Sequence, residues 1–225
     1  MERLTVILFC ALLFGACGSP ELEEAKSEVQ VETDAAQVEK IAEAFSNELE
    51  YAKSFAVQDY KGNKHVIIFD GEHRAAEYML YKGEEPEKIP GVTNIKVPIA
   101  SIACLSTTYL PYITRLEKAN SIVGVANSKF VRNPTVKMQL MNGLTSNISA
   151  AAEIDIEKVV ELAPNILMVY PFNSPDYSRL EKMGVNIFYN TEYLESHPLG
   201  TVEWIKLFGL LYDREAEAHK IFNDV

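Results

Sequence analysis

The chain has 225 residues, with 32 Asp and Glu against 21 Lys and Arg, a net charge of −11, and 48% hydrophobic, 24% charged and 10% aromatic residues. This is a globular composition, which excludes wholesale disorder, collagen and coiled coil, and the length allows one large domain or two small ones. The acidic balance argues against a nucleic-acid partner, because phosphate binding wants a basic face. Three cysteines are too few and too dispersed for a disulfide framework or a Cys-built zinc or iron–sulfur site.

In chain order, residues 1–16 read as a signal peptide. Arg3 gives a short basic start, and Leu4 to Leu13 is an apolar run broken only by Thr5, too short to span a membrane. The run ends Phe14-Gly15-Ala16-Cys17-Gly18-Ser19. Small residues before a cysteine resemble the bacterial lipobox, with Phe14 where an aliphatic residue is usual. That resemblance makes Cys17 the lipidated first residue of the mature chain. Cys10 leaves with the signal, so Cys104 stands alone in the body, inside an apolar run, as a buried small hydrophobe. Residues 17–50 read as an acidic tether: Glu21 to Glu50 holds ten acids and two bases. Its first half lacks the large apolar side chains that would offset chain entropy. With the tether removed the body is close to −3, so the acidity says little about a ligand.

Residues 51–95 form a β-hairpin extension by pattern. Phe55, Val57, Val66 and Ile68 alternate around Lys61-Gly62-Asn63-Lys64, which predicts a hairpin with a Gly-Asn turn. Tyr78 to Tyr81 adds a short third strand, and Glu84 to Gly91, with Pro86 and Pro90, a loop. Residues 96–212 alternate strand and helix. Ile99 to Leu105 is a continuous apolar run, as in a strand buried on both faces. A helix over Tyr109 to Lys118 follows, with a hydroxyl residue to cap it. Ile122 to Val125 is a second strand. Asn133-Pro134 starts a helix that Gly143 ends. Asp155 to Leu162 is a helix capped by Asp155 and stopped by Pro164. Ile166 to Tyr170 is a strand, Asp176 to Met183 a helix closed by Gly184, and Val185 to Tyr189 a fourth strand. The alternation predicts an α/β unit on a parallel sheet. Pro198 to Leu211 is a helix carrying the sole Trp204. Asp213 is expected to cap a last helix over 213–225, which meets no stop signal and suggests a chain that continues.

Several segments together resemble one family. Val97-Pro98-Ile99-Ala100-Ser101-Ile102-Ala103-Cys104-Leu105-Ser106-Thr107-Thr108 is similar to the first strand and loop of the cobalamin and iron-siderophore substrate-binding proteins of ABC transporters. Ile122 to Val125 resembles their second strand, and Ile156 to Leu167 their helix–Pro–strand segment, with Ala163-Pro164-Asn165 where "KPD" is usual. Leu180 to Ile187 resembles a later strand start. Tyr193 to Gly200 with Glu203-Trp204-Ile205-Lys206 resembles the version in lipoproteins of the Bacteroidetes type. The resemblance covers about Ser54 to Val225. It implies two α/β lobes joined by one long helix with the ligand between them. This chain would hold the N-terminal lobe and, from about Asp213, the start of the inter-lobe helix. It also implies binding without covalent chemistry, and ABC permease and ATPase partners. An exposed glutamate at the helix of Glu157 would dock onto a permease arginine. The location would be the cell envelope, through a lipid anchor in the periplasm or at the outer-membrane surface.

Ligands of parallel sheets bind beyond the carboxyl ends of the strands. Those ends hold Thr108, Tyr109, Asn127, Lys129, Arg132, Tyr170, Phe172 and Tyr193. Aromatics give rigid contact area, hydroxyls and amides directional hydrogen bonds, and Lys or Arg a partner for the anionic groups of a ferric chelate. His65, His73, His197 and His219 are dispersed, which disfavours capture of a bare metal ion. Ser106-Thr107-Thr108 lacks the Gly-x-Ser-x-Gly elbow of a hydrolase, and no strand leads into a phosphate loop. Two alternatives stand beside the importer reading. One is a chelatase-like metal- or tetrapyrrole-processing enzyme, for which Glu192 with His197 is the candidate pair. The other is a surface lipoprotein that captures a nutrient without a permease.

Overall fold

The computed structural model describes residues 49–150, 153–171 and 177–225. The signal peptide, Cys17, the tether up to residue 48, and Phe172 lie outside the described residues. The body carries two main sheets. The first is a four-stranded sheet in the order β1 (Phe55–Tyr60), β2 (Asn63–Asp70), β3 (His73–Tyr81), β4 (Val92–Lys96). The β1–β2 turn is Lys61-Gly62, with φ of 50° and 80°, one residue earlier than the Gly-Asn turn that the sequence suggests. Two successive positive φ values are what a two-residue turn needs to match strand twist. β3 is longer than the expected short third strand, because Gly71 at φ 61° turns the chain straight back after Asp70. β4 returns parallel to β3 and runs across the expected 95/96 boundary.

The second sheet contains β5 (Ile102–Cys104), β6 (Ile122–Val125), β7 (Ser146–Asn147), β10 (Ile166–Val169) and β11 (Ile187–Tyr189). Its order is β11-β10-β5-β6-β7 and every pair is parallel. β8 (Ser149–Ala150) and β9 (Glu153–Ile154) form a small antiparallel pair beside it. The helices between are α1 (Leu110–Arg115), α2 (Pro134–Met141), α3 (Ile156–Leu162), α4 (Ser178–Lys182), α5 (Pro198–Glu203), α6 (Ile205–Tyr212) and α7 (Glu215–Asn223). The expected caps are in place for two of them. Asn133 Oδ1 accepts from Thr135 N–H and Val136 N–H, and Asp155 Oδ1 accepts from Lys158 N–H at 2.9 Å.

Three local expectations change. Only Ile102–Cys104 of the Ile99–Leu105 run joins the ladder. Ile99 N–H instead donates to Leu211 O, and Ala100 N–H and Ser101 N–H donate to Asn165 Oδ1. The helix expected over Pro198–Leu211 is two helices meeting at Trp204, whose ring packs on Phe55 at 4.8 Å while its Nε1–H reaches Glu195. Asp213 does not cap the last helix. It closes α6 at φ 55°, its carboxylate is paired with Lys82 Nζ at 2.6 Å, and Arg214 holds the position before α7. The turn is tight because α7 lies on α6: a Cβ added to Gly209 would come within 2.6 Å of Ala218 Cβ. Only glycine allows that approach.

One core runs under both sheets, from Phe55, Ile68 and Leu80 to Ile102, Phe188, Trp204 and Phe208. Tyr78 docks the first sheet on the free edge of the second. Its ring stacks on Phe188 at 4.2 Å, its O–H donates to Ile187 O, and its oxygen accepts from Tyr189 N–H. A single hydroxyl thus serves the two groups that a further strand would have paired.

The chain reaches β1 through a buried carboxylate. Glu203 accepts from the N–H groups of Glu50, Tyr51 and Ala52, and from Lys206 Nζ at 2.7 Å. Burial pushes its carboxyl pKa up, but Lys206 and the three backbone donors outweigh burial and hold it below the usual range. A folded pKa below the unfolded value stabilises the fold fully above the unfolded carboxylate range, about pH 4–5, and the effect is lost as pH falls through the folded pKa. Glu203→Ala leaves Lys206 buried beside an empty site, which costs about 3 kcal/mol. Urea unfolding at neutral pH should show that loss, and the difference from wild type should shrink in acid. A penalty that stays constant from pH 7 to pH 3 contradicts this account.

Candidate functional site

Because the strands of the second sheet are parallel, their carboxyl ends share one edge. In sheet order that edge carries Tyr193 beyond β11, Tyr170 beyond β10, Ser106 to Thr108 beyond β5, and Asn127 to Phe130 beyond β6. Tyr193 is 47% exposed, Tyr170 37% and Phe130 54%. Three large aromatic side chains therefore stand out along a rim whose other groups are hydroxyls and amides.

The rim has an internal frame. Asn127 is left-handed, at φ 52°, and its N–H donates to Ser149 Oγ at 2.9 Å, so the chain turns sharply out of β6. Ser128 N–H donates to Asn147 Oδ1. Lys129 Nζ sits 5.0 Å above the Phe130 ring. Arg132 is exposed just beyond. Thr108 is exposed, and its O–H donates to Glu192 Oε1 at 2.5 Å. Tyr109, in the same short turn, is only 1% exposed and packs in the core with Leu110 and Ile113. Burial, with the charge of Glu192 adding to it, pushes its phenol pKa well up, so it stays protonated.

Glu192 is the residue whose place the sequence did not reveal. It is 4% exposed, behind Thr108, with its N–H donating to Asn190 Oδ1 and its Oε2 buried without a hydrogen-bond partner among the described residues. The pairing with His197 that the chelatase-like alternative would need is not made. His197 Nδ1 accepts from Leu199 N–H at the start of α5, and its ring stacks on Tyr51 at 5.0 Å. Phe130 is the other addition to the rim. Its signal in the sequence is an aromatic placed just after a strand end, beside a cation.

Glu157 lies in the first turn of α3, exposed, on a helix capped by Asp155. There its charge suits the helix dipole. Among the described residues, no group of three or more His, Cys, Asp or Glu side chains is gathered to hold a metal ion. A cavity of about 480 Å³ lies on the first sheet, between Tyr60, Lys61, Met79, Lys82, Glu85 and Ile89, and no rim residue lines it.

No family model matches the chain. Among curated proteins it is similar to two uncharacterized lipoproteins of Methanocaldococcus jannaschii. One is 24% identical over 184 residues, 75% of this chain and 44% of the relative, and the other 23% identical over 236 aligned residues, 99% of this chain and 59% of the relative. The chain thus spans about half the length of the curated relatives it matches. Among solved structures it is similar to periplasmic binding proteins. The petrobactin-binding protein YclQ of Bacillus subtilis aligns at 14% identity and TM-score 0.47, over 58% of this chain and 44% of that one. A periplasmic haem-binding protein of Pseudomonas aeruginosa aligns at 18% and 0.46, over 56% and 43%. The vitamin B12 binding protein BtuF of Vibrio cholerae aligns at 16% and 0.41, over 56% and 47%.

Cys104 tests how closed the sheet is beneath the rim. It is fully buried in β5, and burial pushes its thiol pKa well up. A thiol that is neither exposed nor ionised does not attack. The native body should therefore leave a chromogenic disulfide reagent unreacted, and release one thiol equivalent per body once unfolded in urea. Rapid reaction of the native protein would mean that β5 opens readily.

Proposed function

We propose that this chain is the N-terminal part of a lipid-anchored solute-binding protein serving an ABC importer, with an iron–siderophore complex or a corrinoid as ligand. The observation that carries the reading is the rim: four adjacent parallel strands end together in exposed aromatics, hydroxyls and amides. Flat apolar groups with a few directional donors and acceptors suit a large, rigid, oxygen- and nitrogen-rich solute. The lipobox-like Cys17 and the lipoprotein names of the curated relatives support an envelope location. In this reading the rim is one wall of a cleft. Tyr170, Tyr193, Thr108, Asn127, Lys129 and Arg132 meet the ligand, and Phe172 joins them. Tyr109 acts from beneath by holding the turn that presents Thr108.

The test uses the full-length gene product. The solutes named for the similar structures, ferric petrobactin, haem and vitamin B12, form the panel, read by tryptophan quenching and calorimetry. The double variant Tyr170→Ala with Tyr193→Ala should weaken binding of the preferred solute at least tenfold without changing the urea midpoint. These side chains are exposed, so their loss costs the fold little. Unchanged affinity removes the rim from the site.

Docking is tested separately. Glu157 would orient the protein on the permease through an exposed ion pair, which contributes little affinity alone but sets orientation. Glu157→Arg should therefore leave solute binding intact and slow transport in reconstituted vesicles. Equal transport by both proteins would rule out this contact.

A further inference from the structure

Ser106 and Thr108 present their hydroxyls at the end of β5, and the direction of their protons follows from the geometry. Thr108 Oγ1 is 2.5 Å from Glu192 Oε1 and 2.8 Å from Ser106 Oγ. An ionised carboxylate has no proton to give, so Thr108 is the donor in the first contact. A hydroxyl carries one proton, so Thr108 must accept in the second, and Ser106 donates. Ser106 Oγ in turn accepts from Thr108 N–H at 3.2 Å. Both hydroxyl protons are thus committed inward, toward Glu192. What remains facing the rim is lone pairs.

We propose that Glu192 orients the end of β5 as a hydrogen-bond acceptor surface, selecting ligands that bring N–H donors there, carboxamide or ammonium groups, over ligands that bring bare oxyanions. This rests on the reading of the rim as a ligand cleft and makes Glu192 a positioning residue, acting through Thr108 and Ser106.

The surroundings of Glu192 support the same polarity. Its Oε2 is buried with no hydrogen-bond partner among the described residues. Its charge acts on two phenols, Tyr109 from the turn after β5 and Tyr112 from α1, both kept protonated by burial. Asn190 holds its N–H, and Thr201 Oγ1 from α5 lies 3.5 Å from its carbonyl oxygen. Burial raises its carboxyl pKa, against the lowering effect of the Thr108 hydrogen bond and a backbone N–H, and no cation contributes. A carboxylate in that setting keeps its negative potential, which repels an oxyanion and favours a donor. When Glu192 takes up a proton it can donate to Thr108, and the chain of hydroxyls is free to turn outward. Affinity for a donor-bearing ligand is therefore full above the folded pKa of Glu192 and falls as pH drops through it.

The experiment compares two probes on the full-length protein: cyanocobalamin, whose rim carries carboxamide N–H groups, and a ferric tris-catecholate, a trianion. Wild type should bind cyanocobalamin more tightly, with affinity falling on acidification. Glu192→Gln, whose amide carries no charge and can turn its NH₂ to donate to Thr108, should weaken cyanocobalamin about tenfold, the size of one lost hydrogen bond, and flatten the pH profile. Thr108→Val, which removes the hydroxyl that links Glu192 to the rim, should weaken it similarly. Preference for the trianion, or a Glu192→Gln profile that matches wild type, overturns the inference while leaving the cleft in place. Binding of neither probe by wild type overturns the cleft reading and this inference together. The urea midpoint of each variant, measured alongside, separates unfolding from altered selectivity.

Discussion

Five consecutive backbone N–H groups, from Glu50 to Ser54, end on two carboxylates, those of Glu203 and Glu195. The chain's approach to its first strand bends at Glu50, Tyr51 and Ser54 and has no ladder partner of its own, so these acids take up N–H groups that secondary structure leaves unpaired. A buried carboxylate is costly unless its lone pairs are filled. Here Glu203 is filled by the segment and Lys206, and Glu195 by the segment and the Trp204 indole. The arrangement fixes β1 against α5 and brings Phe55 onto Trp204. From there the first sheet is aimed so that Tyr78 meets the free edge of β11. β11 ends at Tyr189 and the chain runs on through Asn190 to Glu192, so the clamp also bears on the position of that carboxylate. Thr191 Oγ1, which donates to Ser54 O, ties the same segment directly to the turn that carries Glu192.

The parallel sheet was legible in the sequence because its strands are buried on both faces. Ile102 to Cys104, Ile122 to Val125 and Ile166 to Val169 are short apolar runs separated by capped helices, and a periodic pattern of that kind has few other solutions. The caps at Asn133 and Asp155 were legible for the same reason: a short polar side chain before a helical run can satisfy free N–H groups wherever it falls. The features that local pattern could not supply are those fixed by distant partners. Asp213 reads as a cap from its neighbours alone, yet Lys82 pairs with it from 131 residues away, and the contact of Ala218 on Gly209 sets the turn. The break at Trp204 depends on Glu195 and Phe55. β4 could not be read as a strand because its residues, Val92-Thr93-Asn94-Ile95-Lys96, alternate weakly and follow a proline-rich loop. Only its parallel partner β3 makes it one.

The rim divides along the same line. Its exposed members, Tyr170, Tyr193, Thr108 and Asn127, follow from the rule that ligands meet parallel sheets at the carboxyl edge, and the rule needs only strand ends. Tyr109 shows where that rule stops. It shares a turn with Thr108, but successive residues of a 3₁₀ turn point about 120° apart, and its ring belongs to the core. Glu192 was visible as a residue and not as a partner, because its hydroxyl neighbour lies 84 positions earlier.

The division of charge along the rim gives these details a common physical sense. Exposed Lys129 and Arg132 stand at the β6 end, where water and salt screen them. Glu192 stands at the β5 and β11 end, out of water, where screening is weak, and neither cation is among the groups that act on its carboxyl. A buried charge acts more strongly on the hydroxyls in front of it than an exposed one does on its neighbours, because little water screens it. Exposed cations steer, and their effect is shared by any anion that drifts past. In the proposed cleft, selectivity on this wall would fall to the carboxylate behind Thr108. A solute admitted here would present donors toward β5 and β11 and place whatever negative charge it carries toward β6.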